Sequence, residues 1–165
     1  MINIDEDIRD EIKNLESLID NAENTDPAFL NNWLRQLRHR VFYIHSAIEN
    51  GIEILIAKDI IPDITDPKSN EEAENLFAHR IKLYTLLQHL TFSRKLTFAF
   101  DRKLIPSNIK GKFQTINAIR NEFAHPDTYK IKRYTDYKLT KDTLEKLVDG
   151  HEALQNLFKS SHYSP

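Results

Sequence analysis

The chain has 165 residues, 40% apolar and 29% charged, with a net charge of −2; that is a soluble composition with chain enough for one sizeable core, so a single domain over 1–165 is expected. It holds no cysteine and only three glycines, Gly51, Gly111 and Gly150, which excludes disulfides, thiolate nucleophiles, sulfur-ligated zinc and a glycine-rich phosphate loop. No apolar run is long enough to cross a membrane and the acidic start MINIDEDIRDE lacks the order of an export signal, so a cytoplasmic protein with no membrane partner is expected.

The periodicity is helical almost throughout. Ile4, Ile8, Ile12, Leu15 and Ile19 form one stripe, which predicts an amphipathic helix from Asp5 to Asn21. Asp26 and Pro27 supply a cap and a first-turn proline for a long second helix. Its apolar line runs from Leu30 through Val41, Ile44, Ile48 and Ile52 to Leu55, and it ends before Pro62. Ser69 with Glu72 reads as a capping box. The helix behind it is apolar on several faces (Leu76, Phe77, Ile81, Leu83, Leu86, Leu87), which predicts a central position. Thr91 caps a short helix from Phe92 to about Lys103, and Leu104-Ile105-Pro106 breaks it. Ser107 is expected to cap the next helix, which Pro126 stops. Residues 127–138 read as a polar, basic and aromatic loop. Thr140 opens a last helix with Leu144, Leu147, Val148, His151, Leu154 and Phe158 in line. The fold class is therefore all-α, a bundle of five to six helices.

Charge is distributed unevenly. Residues 1–91 carry 9 basic and 17 acidic side chains, residues 92–133 carry 10 and 3, and residues 134–165 carry 4 and 5. The middle third is a basic island. Such a field attracts phosphates, or it neutralises the acidic part of the same fold.

One helix breaks its own pattern. At about 100° per residue, Arg120 falls inside the apolar arc of Ile109, Phe113, Ile116 and Phe123, with Asn117, Asn121 and His125 along one edge. A guanidinium stays charged, so it must reach water, a carboxylate or a phosphate. A carboxylate partner would come from Glu49 or Glu53 of the long helix. His125 precedes Pro126, which disfavours helical geometry there and frees the imidazole at the helix end.

The string Ile119-Arg120-Asn121-Glu122-Phe123-Ala124-His125 resembles the signature of the HEPN superfamily, an Arg followed by a polar residue and, four to six positions on, a His. The run Leu90-Thr91-Phe92-Ser93-Arg94-Lys95-Leu96, then Leu104-Ile105, then Lys112 through His125, is similar to what precedes the motif in such proteins, including the mannitol-repressor type. Ala47-Ile48-Glu49 resembles their glutamate-bearing first core helix. The likeness covers residues 40–158 and leaves the N-terminal helix, within 1–25, outside it. It implies a four-helix core, a two-fold homodimer and, in active members, a metal-independent endoribonuclease, toxin-like or defence-linked, with no cofactor. Its site would use His125 as general acid and base, Arg120 as phosphate clamp and Asn121 as positioning group, with Glu49 orienting Arg120 and Asn117 in support. RNA cleavage by the 2′-hydroxyl needs a proton carrier near neutral pH and a fixed cation on the phosphate, which a His and an Arg supply. The likeness equally implies a non-catalytic regulator or nucleotide-binding module as an alternative, and a cognate antitoxin or regulatory protein as a further partner. A Tyr two residues after the His, frequent in toxins of this superfamily, is replaced by Asp127.

Lys112, Tyr129, Lys130, Lys132 and Arg133 are candidate RNA-binding residues, since aromatics interleaved with bases stack on nucleobases and hold phosphates. The seven His, at 39, 45, 79, 89, 125, 151 and 162, include no i,i+4 pair, so no metal site is expected. His39 and His45 have no partner evident in the sequence. His151 is expected in the core or in a dimer interface.

Overall fold

The computed structural model describes residues 27–61, 69–124 and 141–160, together with Asp10, Asn14 and Ser17. The three isolated residues are helical and exposed; the rest of the expected N-terminal helix lies outside the described residues, as does the segment 125–140. Five further helices follow: α1 Pro27–Ile60, α2 Asn70–Gln88, α3 Phe92–Asp101, α4 Ser107–Ala124 and α5 Lys141–Ser160. The architecture is an all-α bundle, with no strand among the described residues.

The core follows the sequence stripes. Ile44, Ile48, Ile52 and Ile56 of α1, Leu96 of α3, Ile105, Phe113 and Ile116 at α4, and Leu147 of α5 are fully buried. Helix α1 is the axis; α3, α4 and α5 pack on it and α4 packs on both α3 and α5. Two glycines allow the closest approaches. A Cβ on Gly51 would stand 2.6 Å from Leu154 Cδ1, and one on Gly150 would stand 2.7 Å from Ile116 Cγ1. The absent side chains let α5 close on α1 and on α4.

The caps decide the joints. The Ser69 hydroxyl accepts from the Glu72 N–H at 3.1 Å, and the Thr91 hydroxyl accepts from the Arg94 N–H at 3.4 Å. Helix α3 ends at Asp101, two residues earlier than its pattern suggests. Lys103 takes a left-handed φ of 59°, and the N–H groups of Lys103 and Leu104 bond back to the carbonyls of Phe100 and Ala99. That is a Schellman ending, with Lys where Gly is usual. The first bonds of α4 run from the Ile109 and Lys110 N–H groups to the Pro106 carbonyl. Pro106 therefore stands at the capping position, and Ser107 is the first helical residue rather than the cap.

Helix α2 departs from expectation. It is peripheral, packs on α1, and buries only Leu87, while Phe77, Ile81 and Leu86 are exposed. The reason is occupancy: α3, α4 and α5 already cover the core-facing sides of α1. Arg80 fastens α2 by donating to the Ile61 carbonyl at 3.1 Å. An apolar groove of about 380 Å³ runs between the end of α1 and α2, lined by Ile60, Ile61, Leu76, Leu83 and Leu86 with His79 and Lys82. No helix among the described residues is long and apolar enough to cross a membrane.

Candidate functional site

Helices α1, α3 and α4 bring a set of polar groups to one place beside the core. Asn117, Arg120 and Asn121 project from α4 in the order that helical spacing dictates. Arg120 is half-buried, its neighbours Phe113, Ile116 and Phe123 are buried, and Asn121 is exposed. Its guanidinium lies over the Phe42 ring of α1, 5.2 Å from the centroid, and its Nη1 donates to Asn121 Oδ1 at 3.1 Å. Its Nε is buried and has no acceptor among the described residues.

The carboxylates of α1 are engaged elsewhere. Lys95 of α3, only 3% exposed, donates from Nζ to Glu49 Oε1 at 2.6 Å and to Glu53 Oε1 at 2.5 Å. Burial opposes the Lys95 charge, but the two carboxylates together outweigh it and raise the ammonium above its ordinary 10.5. The expected partnership of Glu49 with Arg120 is therefore not what the fold makes. The ammonium sits between Glu49 and Glu53 and takes both, leaving Arg120 to the ring and to Asn121. Among the described residues no carboxylate pairs with Arg120. Nor does any group of three or more His, Asp or Glu there suit a metal ion; the two glutamates are bridged by an ammonium.

Asn117 meets a residue that had no evident partner. His45, 7% exposed on α1, places Nε2 3.1 Å from Asn117 Oδ1, so the imidazole donates to the amide oxygen. Its Nδ1 lies 3.9 Å from Glu49 Oε2, and its ring packs on Phe92 with centroids 4.5 Å apart. Burial first, then the Arg120 and Lys95 charges, outweigh the Asn117 bond and the Glu49 charge and push the imidazole below its ordinary 6.5. His45 is thus a neutral donor that fixes the Asn117 amide.

The other candidates are dispersed. Lys112, on α4, reaches Asp149 of α5 at 3.5 Å in a water-exposed pair of little energetic weight. His151 is buried within the chain at 6% exposure. His125, Tyr129, Lys130, Lys132 and Arg133 lie outside the described residues. Sequence reasoning missed His45, Lys95, Phe42 and Arg38, whose Cζ lies 5.5 Å from the same Phe42 centroid as that of Arg120. Lys95 carried the signal that marked Arg120, a cation within an apolar arc, here of Phe92, Leu96 and Ala99. His45, Glu49 and Glu53 share one face of α1 beside its apolar line.

In comparisons with known proteins, no family model, no curated protein and no solved structure matches this chain.

Proposed function

We propose that the chain is a HEPN-like, metal-independent endoribonuclease, toxin-like or defence-linked, working as a cytoplasmic homodimer with the motifs of both subunits at a shared cleft. The observation that carries the reading is Arg120: a guanidinium on an apolar helix face, steadied by Phe42 and Asn121, unmatched by any carboxylate among the described residues, with a buried Nε that has no acceptor there. An unmet donor on a charged group is a standing cost that a ligand oxygen relieves. With Nη1 committed to Asn121 and Nε buried, Nη2 is the nitrogen left to donate to a phosphate oxygen.

In this reading His125 removes the proton from a ribose 2′-hydroxyl. The oxygen attacks the adjacent phosphorus, the P–O5′ bond breaks, and the 5′ oxygen takes up the proton that His125 carries. Arg120 stabilises the charge that builds on the phosphorane. The products are a 2′,3′-cyclic phosphate and a 5′-hydroxyl, with no metal or cofactor in the sequence of steps. Lys112 and the basic segment 129–133, with Tyr129, would hold the flanking strand, and a cognate antitoxin or regulatory protein would restrain the activity.

The test is incubation of purified protein with RNA in EDTA, with end-group analysis of the products, beside His125→Ala. The reading requires cyclic-phosphate ends that disappear in the variant. RNA that binds but stays intact would select the non-catalytic regulator or nucleotide-binding module instead.

A further inference from the structure

We infer that the exposed face of α2 pairs with the same face of a second copy of the chain, the two helices running antiparallel. Within the single chain that face stays open. Phe77 is 67% exposed and Ile81 51%, on a helix that buries only Leu87. At about 100° per residue, Ile81 lies some 40° from Phe77, so the two form one apolar ridge along α2. Large apolar side chains left side by side in water mark a contact surface. The ridge belongs to a helix that packs on α1, so it is separate from the α4 motif. The inference does not rest on the reading of Arg120, and either can fail without the other.

Charge identifies the occupant. Residues 70–78 of α2 carry Glu71, Glu72 and Glu74 and no basic side chain, whereas residues 79–88 carry Arg80 and Lys82 and no acidic one. A helix polarised in this way repels a parallel copy of itself and attracts an antiparallel one. Arg80 is turned to the Ile61 carbonyl of α1, which leaves Lys82 as the outward cation. Glu74 and Lys82 are both exposed and both lie on one flank of the ridge, about 60° and 140° round from Phe77. A two-fold axis perpendicular to the helices sets each flank against the same flank of the partner. With the axis midway between Phe77 and Ile81, Phe77 packs on the partner's Ile81. Glu74 then stands two residues, about 3 Å along the helix, from the partner's Lys82, and symmetry makes the ion pair twice. The 19-residue helix is about 28 Å long, so the contact is small and its dissociation constant roughly micromolar.

The test follows the mass of the full chain by sedimentation equilibrium over a concentration series, with circular dichroism to check that each variant is folded. Phe77→Asp is expected to halve the mass reached at high concentration. Glu74→Lys and Lys82→Glu should each weaken self-association roughly tenfold by setting like charges against each other, and the double exchange should restore it to within about threefold of wild type. Cross-linking gives a second readout, because the chain has no cysteine of its own. Ala78 lies one residue from the axis, about 3 Å along the helix from its copy, whereas Thr85 on the same flank lies about 18 Å from its copy. A short bismaleimide should therefore join Ala78→Cys chains and leave Thr85→Cys chains single. Cross-linking of both variants alike would contradict the antiparallel arrangement. A mass that Phe77→Asp leaves unchanged, with Ala78→Cys uncrosslinked, would overturn the pairing and give the face to another occupant. A double exchange as weak as the single ones would overturn the Glu74–Lys82 contact that sets its register.

Discussion

Lys95 shows how one buried ammonium sets the chemistry around it. It neutralises half of the charge that Glu49 and Glu53 bring to α1, and its removal leaves two carboxylates facing each other beside the core. Lys95→Met should therefore destabilise the fold by about 3 kcal/mol, the order seen when one member of a buried ionic group is deleted. Replacing all three with apolar residues should recover most of that loss. Urea denaturation of the two proteins checks it, and equal stability of Lys95→Met and wild type would contradict the network. His45 gives a pH dependence. Its imidazole stays neutral in the native protein at pH values where the unfolded chain's imidazole, near 6.5, already takes a proton. The unfolded state then binds more protons, so stability declines as pH falls from about 6.5 towards the native pKa and levels off below it. His45→Gln should remove that part of the slope in stability measured across this window; an unaltered slope would place the titration elsewhere. At this scale the sequence was half legible. Arg120 stood out because a cation in an apolar arc is visible from spacing alone. That Lys95 rather than Arg120 would meet Glu49 was not, because pairing across helices depends on how α3 lies on α1, which no spacing within one helix encodes.

At the scale of elements, glycines that look alike in a helical pattern have opposite roles. Gly111 faces open space, whereas a Cβ on Gly150 would meet Ile116 Cγ1 at 2.7 Å and Cδ1 at 2.9 Å. Gly111→Ala should stabilise α4 by roughly 1 kcal/mol through helix propensity. Gly150→Ala gains the same propensity but forces α5 away from α4, and a net loss of about 1–2 kcal/mol is expected from overpacking. Thermal melts of the pair decide it; a Gly150→Ala protein as stable as Gly111→Ala would contradict the close approach. The turn between α3 and α4 teaches a related lesson. Leu104-Ile105-Pro106 correctly marked a break, but the left-handed Lys103 and the Pro106 carbonyl that opens α4 arise from bonds between neighbouring turns. Helix α2 misled because its apolar residues are numerous without being needed: the core is closed by four other helices, and Phe77 and Ile81 stay in water.

For the molecule as a whole, the all-α class was plain from periodicity and the structure bears it out. Among the described residues of the basic island 92–133, some cations are matched by carboxylates and Arg120 is not. Lys95, Arg102 and Lys112 pair with carboxylates of α1 or α5, which is the neutralising role. Arg120 pairs with none among the described residues, and it is the cation on which a phosphate reading depends. The most direct measurement of that reading is the cleavage rate of RNA in EDTA by Arg120→Lys beside wild type, since Lys keeps the charge but not the planar fork. The account predicts that wild type cleaves and that Arg120→Lys falls by roughly 100-fold or more, as on losing a preorganised donor to the developing charge. Cleavage by Arg120→Lys at the wild-type rate would contradict it.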